Sequence, residues 1–69
     1  MTNTKLLQET IQSSGLKLQY IADTLGISRA ALYKKIQNVT QFKAGEISKL
    51  CDLLRIETAE LKEQIFFAQ

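Results

Sequence analysis

The sequence predicts an all-α protein, a single compact domain of five short helices. Three observations lead to this prediction. The 69 residues contain no proline, apolar residues recur three and four positions apart along most of the chain, and no stretch alternates apolar and polar residues long enough for a strand. A chain of this length makes one domain, residues 1–69, with a small core, because short chains bury only about 60% of their unfolded surface.

Small domains often gain stability from a disulfide, a bound metal or a partner subunit. Cys51 is the only cysteine and there is no histidine. We therefore expect no intrachain disulfide, no four-ligand zinc site and no cofactor. Close helix packing, dimerisation, or both must supply the stability.

The charges are unevenly distributed, although nine basic and seven acidic residues give a net charge of only +2. Residues 1–45 carry six basic and two acidic side chains, a net charge of +4, whereas residues 46–69 carry three basic and five acidic side chains, a net charge of −2. This asymmetry favours an anionic partner for the first part of the chain. By itself the signal is weak, because most charged stretches are solvated surface.

We expect a cytoplasmic protein without a membrane partner. No segment approaches the roughly 20 apolar residues of a membrane span. The first twelve residues lack the apolar centre of a signal peptide. A lone thiol fits a reducing compartment.

The first predicted helix covers residues 4–13, with Leu7 and Ile11 on its inward stripe and Gly15 in the left-handed position beyond its end. The second covers residues 18–25. Its apolar face has positions i, i+3, i+4 and i+7, which are Leu18, Ile21, Ala22 and Leu25.

The third predicted helix covers residues 28–37, with Ser28 as its N-cap. The fourth covers residues 44–54 and begins after Lys43, with Glu46 at the third helical position as in a capping box. The fifth covers residues 58–66. The combined core is expected to comprise Leu7, Ile11, Ile21, Ala22, Leu25, Ile27, Leu32, Ile36, Ile47, Leu50, Leu54 and Leu61.

Residues 18–37 contain the most informative motif, a helix, a glycine turn and a second helix separated by about three residues. Ala22 lies where the second helix passes closest, so a small side chain is needed there. Gly26 follows four residues later, where the chain reverses and a positive φ is easiest without a Cβ. The motif therefore predicts a helix-turn-helix.

The outward face of residues 28–37 is polar and basic, and an α-helix fits the major groove of DNA. Arg29 is placed for bidentate contact with a guanine, and Ala30 for contact with a thymine methyl. The predicted base-reading residues are Arg29, Ala30, Tyr33 and Lys34. The predicted backbone contacts are Lys17, Gln19, Ser28, Lys35, Gln37, Asn38, Thr40, Gln41 and Lys43.

These residues resemble the lambda-repressor-like, Cro/cI family of phage and bacterial transcriptional regulators. The resemblance covers about residues 6–61 and rests on Ile21-Ala22, on residues 25–28 and 32–36, and on Glu46-Ile47, Leu50-Cys51 and Leu54. It implies five helices, base reading by the N-terminal half of the third, and binding to near-palindromic operators, usually as a homodimer. In size the chain resembles the Cro-type phage or prophage repressors, so the resemblance implies a nucleoid-associated protein of a bacterial or phage-infected cell.

Two positions depart from the family pattern. Leu18 stands where many members have a glutamine that contacts phosphate, so that role either falls to Gln19 or Lys17 or is lost. Lys35 stands where many members have a buried aliphatic residue, and Ile36 follows it. The second departure predicts a slightly different rotation or end of the reading helix.

Other interpretations remain open at this stage. The motif also occurs as a purely structural element, and Arg29, Lys34 and Lys35 also fit an ordinary solvated face. The terminal pair Phe66 and Phe67 fits either a dimer contact or closure of the monomer core.

An enzyme is not expected. The chain has no histidine, no glycine-rich phosphate loop and no cysteine paired with a base, and no small-molecule ligand is predicted. The serious alternative to a repressor is a protein-binding module with the same fold, such as an antitoxin or an anti-repressor.

Overall fold

The computed structural model describes residues 1–69 and confirms the all-helical prediction. The five helices are α1 (Thr4–Ser14), α2 (Leu18–Leu25), α3 (Arg29–Ile36), α4 (Ala44–Leu54) and α5 (Ala59–Phe66). Each observed boundary lies within one residue of the expected one. None of the five is both long and apolar enough to cross a membrane.

Side-chain oxygens cap three of the helices. Asn3 accepts the backbone N–H of Leu6 at 3.0 Å. The expected cap of α3 is confirmed, because Ser28 Oγ accepts the N–H of Ala31 at 3.0 Å. Thr58 caps α5 by accepting the N–H of Leu61 at 3.2 Å. These contacts satisfy backbone donors that a helix start leaves free.

Left-handed residues end the first two helices, as the glycines predict. Gly15 and Gly26 both have φ of 74°. A Cβ placed on Gly26 would meet no atom within 4 Å. Its backbone conformation, and not a lack of space, is therefore what favours glycine at this turn.

The core is one cluster of 14 buried residues that all five helices share, and most of the expected core belongs to it. Ile27 and Leu61 are exceptions, because both are half-buried at its edge. Four apolar residues outside the expected core list are buried: Cys51, Ile56, Ile65 and Phe66. The last three lie in or beside α5, whose docking only the fold determines.

The terminal phenylalanine pair is divided between core and surface. Phe66 is buried and meets the ring of Phe42 edge-on, with ring centroids 5.6 Å apart. Phe67 remains 54% exposed. Core closure is therefore the role of Phe66, and of the two residues named as possible dimer contacts only Phe67 has an accessible ring.

Candidate nucleic-acid interface

A short turn joins α2 to α3, and the two helices are in contact. Ala22 has no exposed surface, and Ile21 and Leu32 are also completely buried. The N–H of Ile27 donates to Ala22 O at 3.0 Å, which closes the end of α2 before α3 begins. This turn and the buried side chains therefore fix the position of the outer face of α3 relative to the start of α2.

The four predicted base-reading residues lie together on this outer face. Arg29, Ala30, Tyr33 and Lys34 are exposed and border one broad, shallow depression. Two residues of the first turn of α2 complete its border, namely Leu18 and Gln19. The structure thus brings five of the predicted contact residues to one surface.

The two cations of this surface have no anionic partner within the chain. The one ion pair joins Lys35 to Glu46, away from Arg29 and Lys34. Gln19 is more constrained, because its Nε2 donates to Asp23 Oδ1 at 2.8 Å. Its amide oxygen and second N–H keep their hydrogen-bonding capacity for another group.

The surroundings of Leu18 favour an apolar side chain at this position. It is half-buried and, with Tyr33, borders a second and almost wholly apolar groove that runs on to Ile11 and Ile36. A glutamine at this position would place its amide against that apolar wall. The first turn of α2 therefore offers Gln19, and not residue 18, as its polar side chain.

Lys35 is not placed as a backbone contact for DNA. Only 9% of the residue is exposed, and its ammonium donates to Gln41 O at 3.1 Å and to Glu46 Oε1 at 2.8 Å. It occupies an inward position of α3, with most of its side chain shielded and its charge paired with Glu46. Ile36 is buried beside it, so the inward stripe of α3 is wider than expected.

Asn38 also uses its side chain within the molecule. Its Oδ1 accepts the N–H of Thr2 at 2.9 Å, and its Nδ2 donates to Thr2 O and to Thr4 Oγ1. Its φ of 64° lies in the left-handed region that asparagine tolerates better than most residues. The side chains of Asn38 and Lys35 are therefore engaged within the protein, and we no longer expect either to contact phosphate.

The remaining predicted backbone contacts are accessible to different degrees. Lys17, Thr40, Gln41 and Lys43 are exposed, and Gln37 is half-buried. Ser28 accepts a hydrogen bond as the cap of α3, which leaves its hydroxyl proton free to donate. Thr40, Gln41 and Lys43 share the loop between α3 and α4.

Two titratable groups depart from their ordinary behaviour. Burial raises the pKa of Glu46, but hydrogen bonds from Lys35 and from the Lys43 N–H, with the charges of both lysines, outweigh burial and lower that pKa overall. Burial raises the pKa of the Cys51 thiol. Cys51 is thus a buried, protonated core residue at neutral pH.

The sequence contained a signal for the Lys35–Glu46 pair that the predicted DNA contacts did not use. Residue 35 is three positions after the inward Leu32, which places it on the same helix face. Glu46 is the third residue of the next helix, where a carboxylate is held near the helix start. The pairing of Asn38 with Thr2, 36 residues apart, had no such signal.

No group of three His, Cys, Asp or Glu side chains is arranged to hold a metal ion. Comparison of the chain with protein-family models, with curated proteins and with solved structures finds no match.

Proposed function

We propose that this protein is a sequence-specific regulator of transcription that binds double-stranded DNA and reads bases with α3. One observation carries the proposal. Four exposed side chains of α3, two of them cations without an ion-pair partner, share one surface with the start of α2. A helix that reads the major groove presents its exposed side chains in this way, beside the start of the preceding helix.

The cross-section of α3 matches the groove. An α-helix with its side chains is about 10–12 Å in diameter, and the major groove is about 12 Å wide. Arg29 opens the helix, where a side chain reaches the base edges, and its guanidinium matches the acceptors of guanine. Ala30 and Tyr33 offer apolar surface to thymine methyls, and Lys34 reaches a base or a phosphate one turn further on.

Flanking residues contact the phosphates on either side of the groove in this proposal. Lys17, Gln19 and Ser28 lie at the starts of α2 and α3, and Gln37 at the end of α3. Thr40, Gln41 and Lys43 follow in the next loop. Such contacts fix orientation but carry no sequence information. The net charge of +4 on residues 1–45 favours this placement over one that uses the acidic final part of the chain.

We further propose a Cro-like repressor that binds near-palindromic operators as a homodimer. The Cα atoms span 27 × 23 × 21 Å. One copy is thus shorter than the helical repeat of about 34 Å that separates half-sites. Two adjacent copies therefore fit on successive major grooves of one DNA face, with the exposed ring of Phe67 available for the contact between them.

A protein-binding module is the second candidate, and one observation favours it. The groove between Ile11, Leu18, Tyr33 and Ile36 is nearly free of polar surface and opens beside the cations of α3. An apolar side chain of an acidic partner protein fits this combination. An antitoxin or an anti-repressor would use such a surface.

Selection from a random duplex library at near-physiological salt tests the proposal. A recovered motif with two inverted half-sites about one helical turn apart supports a dimeric repressor. Recovery of no motif contradicts sequence-specific binding and favours the protein-binding module. Affinity for the recovered duplex must also fall with salt, with a log–log slope near −0.9 per phosphate neutralised.

A further inference from the structure

The loop between α3 and α4, residues 37–43, is tied at several points to the rest of the chain. Asn38 ties its beginning to Thr2, as described above. Its later part is held by Lys35 Nζ, which donates to Gln41 O at 3.1 Å. Glu46 Oε1 accepts the N–H of Lys43 at 2.9 Å.

A single carboxylate oxygen joins these later contacts. Glu46 Oε1 accepts both from Lys35 Nζ and from the Lys43 N–H. The side chains of Lys35 and Glu46 are only 11% and 12% exposed. The end of α3, the loop and the first turn of α4 are therefore linked through one shielded ion pair.

The charge of Lys35 is not free to move to a DNA phosphate. Withdrawing its ammonium would leave the Glu46 carboxylate shielded and unpaired, which is strongly unfavourable. The side chains of Thr40, Gln41 and Lys43 are exposed and take part in no ion pair. The loop therefore presents its polar groups outward while the ion pair holds its backbone from within.

We propose that Lys35 and Glu46 are positioning residues of the DNA-binding site, which hold residues 40–43 in a preformed arrangement for the phosphate backbone. This inference rests on the proposed function. Preorganisation of this kind favours binding because the loop loses little conformational freedom when it meets its ligand. Lys35 thus acts on DNA through Glu46 and the loop, and not by touching a phosphate.

A double-mutant cycle tests the proposal, with the duplex recovered by selection and a random-sequence duplex as probes. Lys35→Met and Glu46→Met should each lower affinity for both duplexes, by about tenfold, and the double variant should bind no worse than either single variant. Glu46→Met is decisive, because it removes a negative charge. Simple electrostatics predicts tighter binding for this variant, whereas loss of positioning predicts weaker binding.

The salt dependence provides a second readout. If residues 40–43 leave their preformed arrangement in Glu46→Met, the protein contacts fewer phosphates. The slope of log affinity against log salt concentration should then flatten by about 0.9 for each phosphate that is no longer neutralised. Glu60→Met on α5 is the matched control, since it removes the same charge from an exposed position. It should leave the salt slope unchanged and should not weaken binding.

Lys35→Arg tests the proposal independently of how well Glu46→Met folds. Arginine keeps the positive charge and can donate to a carboxylate, so the ion pair with Glu46 can persist. Positioning therefore predicts that Lys35→Arg recovers most of the affinity that Lys35→Met loses. Circular dichroism and thermal melting show which variants are folded.

The outcomes separate this inference from the proposed function. Tighter binding by Glu46→Met, additive losses in the cycle, or failure of Lys35→Arg to recover affinity would overturn the positioning role and leave the DNA-binding function standing. Failure of the wild-type protein to select any duplex would overturn the function and the positioning role together.

Discussion

Arg29 and Lys35 lie six residues apart on α3 but meet different surroundings. Arg29 is exposed on the outer face and has no ion-pair partner, whereas Lys35 is shielded and paired with Glu46. Their residue types alone do not distinguish these roles, because both are cations in a basic segment. Position on the helix distinguishes them, since residue 35 follows the inward Leu32 by three positions.

Replacement of Arg29 by alanine should remove sequence preference while weak, salt-sensitive binding persists. The expected loss is about 1–3 kcal/mol of discrimination against other bases, because a bidentate contact to guanine disappears. Competition between the selected and random duplexes measures it. Lys62→Ala on α5 is the control, with the same loss of charge and no expected loss of preference. Unaltered specificity of Arg29→Ala would show that Arg29 does not read a base.

At the scale of the element, α2 and α3 depend on small residues at two places. Ala22 of α2 is completely buried, and Gly26 ends α2 with a positive φ. The first requirement comes from packing between helices. The second comes from the backbone itself, because no neighbouring atom limits a side chain at Gly26.

Ala22→Leu should lower the free energy of unfolding by about 1–3 kcal/mol, because extra methyl groups overpack the crossing. Urea unfolding measures the change. Ala30→Leu introduces the same side chain at an exposed position of α3 and should change stability by less than about 0.5 kcal/mol. Equal stability of the two variants would contradict the close approach of α2 and α3 at Ala22.

Gly26→Ala and Gly45→Ala form a matched pair, since a Cβ at either glycine meets no atom within 4 Å. Gly26→Ala should destabilise the fold by about 1–2 kcal/mol, because alanine is strained at positive φ. Gly45 lies in α4 without a positive φ, so Gly45→Ala should stabilise it by about 0.5 kcal/mol. Thermal melting compares them, and the same direction of change in both would disprove the backbone explanation.

At the scale of the whole molecule, three polar links connect separate parts of the fold. The Lys35–Glu46 pair joins α3 to α4, and the contacts of Asn38 with Thr2 and of Asn3 N–H with Ile65 O attach the N-terminal segment to the loop and to α5. The last helix also packs against the loop before α4, because Phe66 contacts the ring of Phe42. These links connect residues that lie far apart in sequence and complete a core that no single helix supports.

The ion pair makes stability depend on pH in a defined direction. The pKa of Glu46 is lowered in the folded state, so its contribution is complete above the unfolded pKa of about 4.5 and is lost as pH falls through the lower folded pKa. Urea unfolding of the wild type and of Glu46→Gln should therefore show a stability difference at pH 7 that shrinks below about pH 4.5. A constant difference down to about pH 3 would contradict the lowered pKa.

The sequence alone determined the elements and the outer face of α3. Apolar spacing located all five helices, Gly15 and Gly26 marked two of their ends, and Ser28 marked the start of α3. These features are local, because helix periodicity, caps and positive φ depend on residues within one or two turns. For the same reason Arg29, Ala30, Tyr33 and Lys34 were placed on one face.

Only the tertiary structure decided the roles that depend on distant partners. It buried Phe66 against Phe42, paired Asn38 with Thr2, and directed the charge of Lys35 to Glu46 and Gln41. A polar side chain in isolation fits solvent, DNA or an internal partner equally well. Its role is set by what the fold brings within hydrogen-bonding distance, and that is a property of the packed helices and not of any one segment.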